Sequence, residues 1–303
     1  MTINDDHALL AHPLPRSLLE ELEGAGMTHS PIAGDRHVGA GVRLRVDSTA
    51  RRVRGAVVRA GFLPVASAPW SFLAYDFGDD AWFGVRLKVG TPDRVPFIDA
   101  HPWRRGLGVA LLAPDGAGKS SVTARLAQSL PLDVRVVYLG LFPRADARRR
   151  RLPGVGTTQR LLRLWRAWLR ARAHQRRGRL VLFDRYPFDA LLPGSGGWAE
   201  RGWRWVLGHA LPAPDLTIVL NAPGTVLHAR SGEHDAATLE LQRQAYLALA
   251  RRLPETVVID AAGDFEATTR AVTSAIWDSY RARYAIECRA REEAPLRVGP
   301  RSV

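Results

Sequence analysis

One octapeptide constrains this chain more than any other feature. Ala113-Pro114-Asp115-Gly116-Ala117-Gly118-Lys119-Ser120 follows the apolar run Val109–Leu112 and precedes a stretch of helical periodicity. It fits the pattern G-x-x-x-x-G-K-[ST] except at the first position, where alanine replaces glycine. Gly116 and Gly118 allow backbone N–H groups to turn inward around phosphate oxygens. The N-terminus of the following helix adds the positive end of its dipole. Lys119 is placed to reach the terminal phosphates, and the Ser120 hydroxyl to enter a magnesium shell. Ala113 fits this loop as long as its φ stays negative. The expected ligand is ATP with Mg2+, contacted by Ala113, Gly116, Ala117, Gly118, Lys119, Ser120 and Ser121. Of the 43 basic residues only Lys88 and Lys119 are lysines. A compact ammonium is what the loop needs, and the broad fork of arginine does not replace it.

From residue 106 onward strand-like and helical stretches alternate. Apolar runs occur at Val109–Leu112, Val134–Leu139, Leu180–Phe183, Leu216–Leu220 and Val257–Ile259. Helical periodicity fills 119–130, 158–176, 198–210, 223–230, 236–252 and 265–284. Five buried strands with helical crossovers predict a parallel sheet with helices on both faces. The predicted fold class is therefore α/β, a three-layer αβα domain of the P-loop NTPase kind, spanning 106–285. A small α/β domain is expected before it, at 1–105 with a proline-broken linker at about 91–105, and a flexible tail after it at 286–303.

A second constellation lies 65 residues beyond Lys119. Leu180–Phe183 ends in Asp184-Arg185-Tyr186. In a parallel sheet the C-terminal end of such a strand borders the phosphate loop. Asp184 can hold Mg2+ through water there, and Arg185 can clamp a phosphoryl group with two N–H donors. The expected metal contacts are Ser120 and Asp184.

These motifs together resemble the thymidylate-kinase-like branch of the nucleoside monophosphate kinases. Asp115-Gly116-Ala117-Gly118-Lys119-Ser120 is similar to that family's D-G-x-G-K-[ST] loop, and Arg177-Gly178 with Leu180–Tyr186 to its R-G-x-x-V-x-x-D-R-Y segment. Pro214-Asp215, Leu216–Leu220 and Ala222-Pro223 resemble its fourth strand, with Asn221 where aspartate is usual. Residues 230–246 resemble its LID and the helix after it. The resemblance covers about 106–285 and implies a kinase that uses ATP and Mg2+. It implies catalytic roles for Lys119, Asp184, Arg185 and Asp115, the last touching the acceptor's sugar or the reacting phosphate. Arg230, with Arg243 second, would supply the charge that Ala117 lacks, and the loop 261–264, Ala262 included, would border the adenine.

The acceptor side departs from the family. Leu141-Phe142-Pro143-Arg144 and Arg148–Arg151 stand where R-E-P-G-G-T is usual, and Pro187-Phe188-Asp189-Ala190 follows Asp-Arg-Tyr. The expected partner is thus ATP with a small phosphate acceptor that need not be thymidine monophosphate, nucleoside monophosphates remaining candidates. Two alternatives stay open: an ATP-binding regulator whose chemistry has lapsed, and a kinase or binder directed to nucleic acid. The latter draws on Arg144–Arg179, which holds 13 arginines against the single acid Asp146, nearly the whole net charge of +13. Within it Leu161, Leu164, Trp165, Trp168 and Leu169 read as a stripe packed on the sheet, and Arg163 as a residue near the acceptor's phosphate. A second copy of the chain is also open as a partner.

Other signals lead nowhere catalytic. Pro193 breaks the nucleophile pattern around Ser195, the nine histidines lack metal-ligand spacing, and Cys288 has no base nearby in sequence. A single cysteine and the absence of a long apolar run predict a cytoplasmic protein without a membrane span. The first 105 residues faintly resemble a nucleotidyltransferase-like domain around Gly34-Asp35. Asp35-Arg36-His37 lacks the family's second acid and Arg86-Leu87-Lys88 holds bases, so the implied module is inactive, serving docking or regulation.

Overall fold

The structure is a computed structural model that describes residues 13–31, 40–48, 50–64, 71–76, 78–79, 81–89, 106–140, 156–193, 197–232 and 234–292. Packing divides the chain into two compact units: Met1–Val65 with Pro69–Pro102 and Trp277–Val303, and Ala66–Ala68 with Trp103–Ile276.

The first unit is built from α1 (Pro13–Gly24), β1 (Thr28–Pro31), β2 (Ala40–Asp47), α2 (Ala50–Arg59), β3 (Leu63–Pro64), β4 (Ser71–Asp76) and β5 (Ala81–Val89). Its strands lie in the order β1-β2-β5-β4-β3, with only the β2–β5 pair parallel. Alternation along β2 and β5 turns Leu44, Val46, Phe83, Val85 and Leu87 inward. Leu18 and Leu22, one turn apart on α1, close that core together with Val53, Ala56 and Val57 of α2. At the β4–β5 turn the Asp76 carboxylate accepts from the Gly78 N–H at 2.7 Å and the Asp79 N–H at 3.2 Å. Arg86 and Lys88 are exposed on β5, while Asp35-Arg36-His37 lies outside the described residues.

The second unit alternates as the sequence predicts: β6 (Gly108–Leu112), α3 (Lys119–Ser129), β7 (Val134–Tyr138), α4 (Gly156–Arg176), β8 (Leu180–Asp184), α5 (Trp198–Gly208), β9 (Leu216–Asn221), α6 (Gly224–Ser231), α7 (Ala236–Ala250), β10 (Thr256–Asp260) and α8 (Phe265–Glu292), the last belonging to this unit as far as Ile276. All pairings are parallel, in the order β10-β9-β6-β8-β7. This is the three-layer α/β/α arrangement of P-loop NTPases, with the first strand central and the order reversing beside it. That switch point is where open parallel sheets bind ligands. Central β6 is buried along its whole length, as a strand covered on both faces must be. Its start is pinned by Asp215, whose Oδ2 accepts from the Gly108 N–H at 2.7 Å and from Gln175 Nε2 at 3.1 Å.

Two details differ from expectation. Helix α8 runs to Glu292 rather than 284, so the first part of the presumed tail is helical. The α4 stripe is narrower than drawn. Leu164, Ala167 and Ala171 are buried, but Trp165 is 41% and Leu169 55% exposed. Positions 164, 167, 168 and 171 hold one line along a 3.6-residue helix, and 165 and 169 fall outside it. Arg163 donates from Nη2 to the Gly140 carbonyl at 3.1 Å. The linker at 91–105, the segments 141–144 and 148–151, the loop 194–196 and residues 293–303 lie outside the described residues. No helix among the described residues is long and apolar enough to cross a membrane.

Candidate active site

The loop between β6 and α3 adopts the geometry its glycines permit. Gly116 and Gly118 have φ of +86° and +83°, in the left-handed region. A Cβ at Gly116 would also sit 2.5 Å from the Leu227 carbonyl oxygen, so glycine is required there twice over. Ala113 is not among the positive-φ residues, which explains why alanine serves at the first position.

Lys119 is 8% exposed and folds back under the loop. Its Nζ donates to the carbonyls of Ala113 at 2.6 Å and Pro114 at 2.8 Å and lies 3.8 Å from Asp115 Oδ1. Burial, with repulsion from Arg185 next, lowers its pKa to about 8.

Arg185 occupies the other side. Its Nη2 donates to Asp115 Oδ1 at 2.8 Å, and its Nη1 lies 3.8 Å from Asp189 Oδ2. Its φ of +67° is unusual for a residue with a Cβ, and such a conformation costs on the order of 1–3 kcal/mol. Burial raises the pKa of Asp189, against the opposing pull of Arg185. Asp189 also accepts from the Tyr246 hydroxyl at 3.0 Å. The sequence reading missed this pair as a support. Nothing local marks two residues 57 positions apart as partners. Tyr246→Phe removes one of the few groups that satisfy a buried carboxylate. Its expected cost is about 1–3 kcal/mol, read as a lower urea midpoint. A variant as stable as the parent would show that Asp189 does not depend on that hydroxyl.

Lys119 and the Asp115–Arg185 pair border one cavity of about 830 Å³. Asp115, Gly116, Ala117, Gly118, Lys119, Ser120, Ser121, Asp184, Arg185 and Arg230 all lie on its wall. Ala113 and Ala262 contribute from behind it, through backbone atoms: Ala113 accepts from Lys119, and Ala262 accepts from Arg230. Arg230 donates to three carbonyls, Ala261 at 2.6 Å, Ala262 at 3.0 Å and Gly263 at 3.2 Å. It therefore braces the loop after β10. Arg243 is held elsewhere, by Glu240 at 2.5 Å and Asn221 Oδ1 at 3.0 Å. Tyr138, at the end of β7, and Phe265 and Thr268, at the start of α8, also line the cavity. Tyr138 could have been anticipated, because strand ends face the ligand in this topology.

Fold and loop together define an α/β domain with a glycine-rich loop at the C-terminal end of its central strand. No protein-family model and no curated protein matches the chain. Among solved structures, it is similar to a thymidylate kinase from Candida albicans, with 16% identity and a TM-score of 0.45 over 58% of this chain and 93% of that one.

Proposed function

We propose that the chain is an ATP-dependent phosphotransferase using Mg2+, with a small phosphate acceptor. The observation behind this reading is a cavity whose wall joins the glycine loop, the buried Lys119 ammonium and the strand-end pair Asp184-Arg185. The loop amides and the α3 N-terminus bind the phosphate chain. Lys119 exchanges its two backbone acceptors for phosphate oxygens. Ser120 and Asp184 would hold the metal, and the hydroxyl and carboxylate oxygens they bring to one cavity suit Mg2+. When bound, Mg2+ neutralises charge on the phosphates. Arg185 stabilises the moving phosphoryl group, and Asp115 orients both it and the acceptor. Arg230 shapes the base-side loop through residues 261–263.

The decisive experiment measures ADP release against a panel of nucleoside monophosphates, sugars and 5′-hydroxyl oligonucleotides. Release that tracks one acceptor supports the reading. Magnesium-dependent ATP binding without turnover on any acceptor favours instead an ATP-binding regulator. That second reading draws on Arg230, whose guanidinium already bonds three carbonyls.

The pH dependence of ATP affinity follows from Lys119. Its unliganded pKa is about 8, and a bound polyphosphate stabilises the charged form. Affinity is therefore flat below that pH and weakens as pH rises above it, by up to about tenfold per unit. Nucleotide titrations on both sides of the transition check this. A flat profile would mean that the ammonium does not meet the phosphates.

A further inference from the structure

We propose that the outward face of α4 is a docking surface for an anionic lipid bilayer. The helix presents an apolar line, Leu162 at 49%, Trp165 at 41% and Leu169 at 55% exposure. Exposed Arg166, Arg170, Arg176 and Arg177 flank that line. No aspartate or glutamate occurs between Asp146 and Asp184, and none of these four arginines has a carboxylate partner among the described residues. The Trp165 ring is seated against Trp168, with centroids 5.5 Å apart, so it is a braced edge. Helix α5 adds Trp198 at 83% and Trp205 at 61% exposure. Both helices feed one core with Ala110, Leu112, Val181 and Phe183, so they cover the same face of the sheet.

The chemistry selects the occupant. A second copy docking by two-fold symmetry would set uncompensated arginines against each other. Nucleic acid would satisfy the arginines through phosphates but leave Leu162 and Leu169 without a partner. The interface of an anionic bilayer satisfies both sets: headgroups take the guanidinium groups, and the acyl boundary takes leucine and tryptophan. Attachment of this kind lies along the surface and needs no spanning helix.

The test is co-sedimentation of the full chain with phosphatidylcholine vesicles containing about one-third phosphatidylserine, beside vesicles of phosphatidylcholine alone. The expected result is pelleting with the anionic vesicles only, lost at high salt. Arg166→Gln with Arg170→Gln should weaken it about 30-fold. Leu162→Ser with Leu169→Ser should weaken it by about tenfold or more, with an unchanged thermal midpoint because both side chains are exposed. Should a variant misfold, the lipid and salt dependence of the unaltered chain decides. The proposal is overturned if the chain stays in the supernatant at low salt, or if the serine variant binds vesicles like the parent. It is equally overturned if single-stranded DNA is bound and vesicles are not, or if a concentration-dependent dimer that the serine variant abolishes forms without vesicle binding.

Discussion

Lys119→Ala should reduce ADP formation by about 10³-fold, a loss of roughly 4 kcal/mol of transition-state stabilisation. The ammonium is the one lysine in the second unit and sits on the cavity wall beneath the loop. Its removal leaves the glycine loop and the α3 N-terminus in place, so weakened nucleotide binding should persist while turnover is lost. Fold stability should move the opposite way. A pKa lowered from 10.5 to about 8 means that the folded chain disfavours the charged form by on the order of 3 kcal/mol at neutral pH. The sign follows from proton counts: between those two values the unfolded chain binds more protons, so native stability rises with pH across that window. An alanine variant should thus unfold at an equal or higher urea concentration while losing activity. A variant with full turnover would eliminate the phosphotransferase reading, and one that simply unfolds would leave the assigned role without support.

Asp184→Asn should lower turnover by about 10²–10³-fold and remove most of the magnesium dependence of ATP affinity. The carboxylate stands at the C-terminal end of β8, in register with Leu111 of central β6 and Tyr138 of β7. Its backbone carbonyl accepts from the Leu139 N–H at 3.3 Å, which fixes the strand end that presents it. Asparagine keeps the shape and removes the charge that a hard divalent cation requires. Titrating ATP with and without Mg2+ separates the outcomes. A variant whose affinity still responds fully to magnesium would place the ion elsewhere.

Much of the second unit was legible in the sequence because its three inner strands, β6, β8 and β9, are buried on both faces. Leu180–Phe183 is a continuous apolar run and Leu216–Leu220 one broken only by Thr217, and such runs have few alternatives in an α/β chain. The glycine loop was legible for a different reason. Gly116 and Gly118 meet backbone demands that only glycine satisfies easily. Helix α1 was not read from the sequence: Pro13 and Pro15 stand in its first turn, where proline is well tolerated, and Leu18 and Leu22 fall one turn apart. The edge strand Thr28–Pro31 is too short to show a period. On α4, apolar residues wrap past the buried side, and periodicity alone could not say which of them face the core. Within the site, the residue types were readable but their pairings were not. Arg230 looked like a free cation in sequence, and only the folded loop brings three carbonyls to it.

The backbone of Arg185 sets stability against usefulness at a single position. A left-handed φ of +67° is comfortable for glycine, and an Arg185→Gly chain would relax there. The same replacement would delete the guanidinium that meets Asp115 and take from Asp189 the cation 3.8 Å away, leaving it the Tyr246 hydroxyl and the attraction of Lys119. Selection for heat resistance alone would therefore tend to erase arginine at 185, whereas selection for phosphate handling would retain it.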